Sequence, residues 1–150
     1  MVSVDDFYLT HEDQAQLARD HPTNPLIQHR GQPSTHDITL WRETFDNLKA
    51  GKPTSIPSYD KSRFNGAGDR VDRSQWELVN EIKTIQVVIF EGWNVGFRAL
   101  PEEKIRLAWE TARQRRDAEG SKYSGQLAYH KLEDLLFVNT ALSEEEQFCE

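Results

Sequence analysis

The sequence predicts an α/β domain, a parallel sheet with flanking helices, on three observations. Ile85-Gln86-Val87-Val88-Ile89-Phe90 is rich in β-branched residues and continuously apolar at its end, the pattern of a strand covered on both faces. Met1-Val2-Ser3-Val4-Asp5-Asp6-Phe7-Tyr8 opens as a short strand and ends in two carboxylates. Segments with helical periodicity separate and follow these strands, and strands alternating with helices favour a parallel sheet.

Thr10 with Asp13 three residues later caps a helix over His11 to Asp20, which Pro22 and Pro25 close off, so 21–35 reads as loop. From Asp37, the spacing of Ile38, Trp41, Phe45 and Leu48 places four apolar side chains on one helical face, and Gly51 followed by Pro53 ends that helix. The stretch from Pro53 to Arg73 reads as a long loop, a class that is usually functional or disordered. Ser74 with Glu77 fits either a short helix around Trp76 and Val79 or an edge strand. Pro101 at a first turn, Glu102 and Glu103 behind it, and Arg113, Arg115 and Arg116 near the end match a helix dipole, with Ile105, Ala108, Trp109 and Ala112 as its buried stripe. Leu127, Leu132, Leu135, Leu136 and Val138 suggest a last helix, followed by an acidic tail. No internal repeat is present.

Composition narrows the function classes. With 150 residues the chain has the length of one modest domain. A net charge of -7 leaves no overall basic field to attract a nucleic-acid backbone. The apolar runs are a few residues long, against the roughly 20 needed to span a bilayer, and no basic segment precedes an apolar one at the N-terminus. The chain therefore reads as cytoplasmic, with no membrane or nucleic-acid partner. A single cysteine, Cys149, cannot form an internal disulfide, which fits a reducing compartment, and its terminal position argues against catalysis. The mean hydropathy of -0.74 implies long stretches of solvated loop or exposed helix.

In a parallel sheet, ligands bind beyond the carboxyl ends of the strands. Asp5 and Asp6 follow one predicted strand and Glu91 follows the other, so parallel pairing delivers three carboxylates to one edge. Carboxylates there can hold Mg²⁺ or accept a proton from an attacking hydroxyl, two tasks of phosphoryl transfer. The competing reading is that such acids cap the next helix or face water. The five histidines show no metal-ligand spacing, and no Ser/His/Asp or Cys/His set can be assembled.

Four motifs in order then carry a resemblance: Ser3 to Thr10; Arg30-Gly31-Gln32-Pro33-Ser34-Thr35-His36-Asp37; Tyr59-Asp60-Lys61-Ser62 with Gly68-Asp69-Arg70; and Val88-Ile89-Phe90-Glu91-Gly92-Trp93. Together they resemble the successive motifs of plant-type glycerate 3-kinases and their fungal ATP-dependent kinase relatives. The resemblance covers roughly residues 1–98, with an echo in 134–139. It implies a P-loop kinase fold, ATP and Mg²⁺ as cofactors, and a hydroxyl of a small acid or sugar-like molecule as acceptor. The wider relation to uridine kinase and phosphoribulokinase implies Asp5 as base. Glu91 resembles the acid ending the Walker B strand, which makes Glu91 and Asp5 the implied metal ligands. Asp6, Tyr8, Arg30, His36, Asp37, Tyr59 and Arg70 lie in motifs that line the acceptor pocket of such kinases. An Arg there suits a carboxylate or phosphate, because its planar fork binds two oxygens. Arg30 and Arg70 fit solvated loop positions or structural salt bridges equally well, and His36 beside Asp37 fits a helix-capping pair.

The chain departs from the family pattern in one respect. The phosphate loop needs Gly, four residues, then Gly-Lys-Ser/Thr, so that backbone N–H groups cradle phosphates. In Gly51-Lys52, Pro53 replaces the hydroxyl residue and Asp46 the first Gly. In the related pattern the loop lies upstream of the Ser3 to Tyr8 strand, so the chain is expected to begin after it and to be incomplete at both ends. The expected organisation is one partial kinase domain, 1–98 carrying the motifs and 99–150 helical. The expected function is an ATP-dependent small-molecule kinase, the alternatives being a truncated non-catalytic fragment lacking nucleotide binding and a Mg²⁺-dependent hydrolase. The basic run Arg113 to Arg116 is read as the solvated end of a helix rather than a set of lid arginines.

Overall fold

The computed structural model describes residues 1–146, so Cys149 lies outside the described residues. Its elements run β1 (Val2–Ser3), α1 (His11–Asp20), α2 (Ile38–Lys49), β2 (Thr54–Ile56), β3 (Tyr59–Asp60), β4 (Asp69–Arg70), β5 (Glu77–Val79), β6 (Phe90–Glu91), α3 (Glu102–Glu119) and α4 (Leu132–Glu146), joined by 3-10 turns. β1 and β6 pair in parallel, Val2 opposite Phe90 and Ser3 opposite Glu91, and the Val2 N–H donates to the Ile89 carbonyl at 2.9 Å. The fold is mixed α/β with its parallel pairing at this point. Two antiparallel ribbons, β2 with β5 and β3 with β4, stand beside it.

The predicted caps recur at the helix starts. Thr10 accepts a hydrogen bond from the Asp13 N–H at 3.2 Å, and Asp37 accepts one from the Leu40 N–H at 2.9 Å, each satisfying a donor that the first turn leaves unpaired. The stripe of α2 packs as its spacing requires. Trp41 is buried with Val2, Val4 and Phe7, while Ile38, Phe45 and Phe90 close around them. Phe7 stacks on Trp41 at 5.8 Å between ring centroids, and Phe90 meets Trp41 at 4.9 Å and Phe45 at 5.0 Å. This aromatic knot anchors both parallel strands to α2.

Several expectations are corrected. The strand predicted over 85–90 is regular only at Phe90–Glu91, and Val87 and Ile89 are exposed rather than covered on both faces, because β1 is its one sheet neighbour among the described residues. The loop at 53–73 contains β2, β3 and β4, kept to two or three residues by the intervening prolines and glycines. At 74–79 the edge strand prevails, as β5. In α3 no residue is fully buried: Ile105, Trp109 and Ala112 are half-covered and Ala108 faces water. The Trp109 indole still donates to the His130 carbonyl at 2.8 Å. The acidic residues at 144–146 form the last turn of α4 rather than a solvated tail, and Glu145 is buried. Arg115 and Arg116 pair locally with Glu119 and Asp117, and Arg113 lies over Trp109, as expected of a solvated helix end.

Gly92 follows β6 where the chain passes against Val4. A Cβ at this position would collide with the Val4 side chain, so only glycine permits the approach. Gly92→Ala is expected to cost about 1–3 kcal/mol through overpacking, read as a lower denaturant midpoint with an unchanged m-value.

Candidate active site

β1 runs directly into a 3-10 turn over Val4–Phe7, in which Val4 and Phe7 point into the core and Asp5 and Asp6 are turned toward the rim. Ser3 caps this turn by accepting from the Asp5 N–H at 3.4 Å. The parallel register sets Glu91 beside Ser3, so the carboxyl ends of both strands carry their acids to one edge. The charge of Asp6 reflects this proximity. Burial raises its carboxyl above the usual range, and the negative charges of Asp5 and Glu91 add to that, against N–H donation from Tyr59 at 3.1 Å. Glu91 itself is exposed.

Asp5 is held in the opposite direction. Burial alone would raise its carboxyl, but hydrogen bonds from Lys61 and Tyr8 and the Lys61 charge outweigh it and keep Asp5 below its ordinary value. Tyr8 is its complement: burial, then the hydrogen bond to Asp5 and the charge of Asp5, push its phenol far up. The phenol therefore stays protonated beside the carboxylate.

Beyond this pair opens a cleft of about 690 Å³, walled by Tyr8, His11, Arg30, Tyr59, Lys61 and the 64–68 turn. Its size is that of a small-molecule site. Arg30 crosses it, donating to the carbonyls of Gly66 (2.8 Å) and Ala67 while its guanidinium lies 5.7 Å from the Tyr59 ring centroid. Gly68 has φ +83°, and a Cβ there would press on Tyr59 Cε1 at 2.5 Å and Arg30 at 3.0 Å, so glycine lets this wall close. Burial raises the Tyr59 phenol, against the nearby Arg30 charge.

The structure thus places Tyr8, Arg30 and Tyr59 in the wall of one cleft; Asp5 is not in that wall but is bound by Lys61, which is, and Asp6 and Glu91 lie outside it. It does not bring Asp37, Arg70 or His36 to the cleft wall. Arg70 pairs with Asp37 at 3.1 Å and donates to the Tyr8 carbonyl at 2.8 Å, tying the end of the Val4–Phe7 turn to α2. These two residues line a separate cavity of about 820 Å³ on the Thr10 and Trp76 side. His36 is buried beneath Tyr8, ring on ring at 4.7 Å. Lys61 was within reach of sequence reasoning, since it sits in a motif already singled out, but nothing local signalled its pairing with Asp5. Glu145 carried no sequence signal apart from its acidity.

Among the described residues no group of three or more His, Cys, Asp or Glu side chains is arranged to hold a metal ion. Asp5 and Glu91 therefore do not form a closed protein cage. They remain compatible with Mg²⁺, which keeps several waters and takes one or two carboxylates alongside substrate phosphates.

Comparison with known proteins gives this geometry a context. The chain is 53% identical over 100 residues to an uncharacterized kinase, mug58, of Schizosaccharomyces pombe, covering 65% of this chain and 36% of that protein. It is 42% identical over 109 residues to the chloroplastic D-glycerate 3-kinase of Arabidopsis thaliana, covering 70% of this chain and 24% of the relative. The solved structure of a D-glycerate 3-kinase from Cryptococcus neoformans var. grubii serotype A superposes with a TM-score of 0.85 at 34% identity, over 98% of this chain and 49% of that one. The chain is related to the D-glycerate 3-kinase group. It spans half or less of the length of these kinases, and it shares with the solved one the α/β fold of the portion it covers. No family model matches. Among the described residues no helix of this glycerate-kinase-like chain is long and apolar enough to cross a membrane.

The Lys61–Asp5 pair has a definite pH signature. Because the folded carboxyl lies below its ordinary 3.8, the pair's stabilisation is complete above about that pH and is lost as pH falls through the folded value. In Lys61→Met, burial acts against Tyr8 and His36 alone, and the Asp5 carboxyl moves up. The difference in Tm between wild type and Lys61→Met is expected to be larger near pH 6 than near pH 2; a pH-independent difference would show that the pair is not formed.

Proposed function

We propose that the chain forms the acceptor side of an ATP-dependent small-molecule kinase, binding a small hydroxy acid such as D-glycerate and preparing its hydroxyl for phosphorylation. The observation that carries this reading is the cleft walled by Arg30, Tyr8 and Lys61, the last two of which keep the neighbouring Asp5 carboxylate ionised. The names of the related kinases support the substrate class.

In this reading Arg30 and Lys61 attract the acceptor's carboxylate, and the fork of Arg30 fits two oxygens. Asp5 accepts a hydrogen bond from the acceptor hydroxyl, aims its oxygen, and takes its proton as the new oxygen–phosphorus bond forms and the γ-phosphorus bond to the departing ADP breaks. A carboxylate held below its usual range is a weak base, which suits a loose transfer in which positioning dominates and the proton leaves late. Asp6, Tyr8 and Tyr59 complete the polar wall, and Glu91 with Asp5 would hold Mg²⁺. That ion would neutralise charge on the transferred group. His36, Asp37 and Arg70, inferred from the motifs as pocket residues, act in this geometry by fixing Tyr8 and the catalytic turn. Residues 1–150 contain no Gly-Lys-Ser/Thr cradle for the triphosphate, so no donor-side step is assigned to them.

Asp5→Asn in the intact kinase is expected to lower kcat about 10²- to 10⁴-fold with nucleotide affinity unchanged. Turnover at the wild-type rate would remove Asp5 from the mechanism. The absent cradle also supports a second reading, a fragment that takes the acceptor but not ATP. Titration calorimetry of the 150-residue chain tests this second reading: acceptor binding without micromolar Mg-ATP binding supports it, whereas micromolar Mg-ATP binding excludes it.

A further inference from the structure

Glu145 is the one acid of the 144–146 run that turns inward. Its side chain is 4% exposed, and both its oxygens are engaged by groups distant in sequence. Oε1 accepts from the His36 ring at Nδ1 (2.9 Å) and from the Ser34 N–H (3.2 Å), while Oε2 accepts from the Asn94 amide (3.1 Å). The carboxylate thus ties the last turn of α4 both to the loop that leads into α2 and to the turn after β6. Its acceptance at Nδ1 places the ring proton there. His36 Nε2 is buried with no hydrogen-bond partner, so Glu145 is the contact that sets how this ring is oriented.

The ring so fixed is the floor of the catalytic pair. His36 lies parallel to Tyr8, 15° between planes, and Tyr8 and His36 also pair as an isolated antiparallel bridge. Tyr8 in turn closes the turn that carries Asp5, its N–H donating to the Asp5 carbonyl at 3.4 Å, and its phenol stands near the Asp5 carboxylate. Resting on the kinase reading above, we propose that Glu145 is a positioning residue of the reaction, acting through His36 and Tyr8 to hold the Asp5 carboxylate in line with the acceptor hydroxyl.

The chain of contacts is directional in a chemically useful way. Nδ1–H on a carboxylate locks the imidazole, the imidazole face locks the phenol ring, and the Tyr8 N–H on the Asp5 carbonyl ties that ring to the turn that carries Asp5. Lys61 binds the Asp5 carboxylate, which leaves its remaining acceptor capacity for the substrate. Outer partners of this kind typically change activity 10- to 100-fold when lost, because the groups that touch substrate are no longer held in one geometry.

The test is Glu145→Gln, which keeps the side-chain volume. In the intact kinase it is expected to lower kcat about 10- to 100-fold per folded molecule, with KM for D-glycerate within about twofold of wild type. An unchanged kcat, or a loss accounted for by the unfolded fraction in circular dichroism, overturns the proposal. In the 150-residue chain, the NMR resonances of the Tyr8 ring protons are expected to shift in the same variant, and coincident resonances overturn it regardless of turnover. Asn94→Ala, which removes the Oε2 donor alone, serves if Glu145→Gln does not fold. The same shift and a smaller fall in kcat support the proposal, and wild-type values of both sink it. If the wild-type protein shows no kinase turnover while the Tyr8 ring still responds, the kinase reading fails and the coupling stands.

Discussion

The parallel pairing of β1 with β6 is the constraint on which the rest depends. Two residues from each strand set a register in which the chain leaves both strands in the same direction, so the acids that follow arrive at one edge. An antiparallel pairing of the same strands would send Asp5 and Glu91 to opposite ends. The pairing is short, and its stability comes from the aromatic knot of Phe7, Trp41, Phe45 and Phe90 beneath it, together with the close approach that Gly92 permits to Val4. Apolar burial in that knot drives association without direction, and the backbone hydrogen bonds supply the direction.

From that rim outward, the site is organised by opposed electrostatic effects on neighbouring carboxylates. Asp5 and Asp6 are adjacent and similarly placed, yet one is drawn down by Lys61 and Tyr8 and the other pushed up by burial and by its acidic neighbours. Groups whose environments push them apart in this way can take different roles, and Asp5 is the one kept ionised. The glycines at 68 and 92 serve the same end from the backbone, since each lets a wall approach more closely than a side chain would allow.

Much of this was legible in the sequence where the signal is local. The β-branched run ending at Phe90, the Thr10 and Asp37 caps and the α2 stripe follow from propensity, capping and periodicity over a few residues, and the motif order pointed to the kinase relatives. What remained illegible depends on contacts across the chain. The exposure of Val87 and Ile89 reflects which strands are present to cover them, which periodicity does not encode. Lys61 meets Asp5 across 56 residues, and Glu145 meets His36 across 109. Glu145 belongs to an acidic run that read as a solvated tail, because surrounding charge hides the one member whose partners make its burial tolerable. His36, Asp37 and Arg70 were expected from their motifs to line the acceptor pocket; they gather around Tyr8 and off the cleft wall, a matter of side-chain direction that spacing alone does not carry.

The most direct test of this account is a crystal structure of the protein with D-glycerate bound. The account predicts the carboxylate of the acid against Arg30 and Lys61, with a hydroxyl oxygen within about 3 Å of the Asp5 carboxylate. Density for the acid in the Arg70 and Trp76 cavity, with the Asp5 cleft filled only by water, would contradict it.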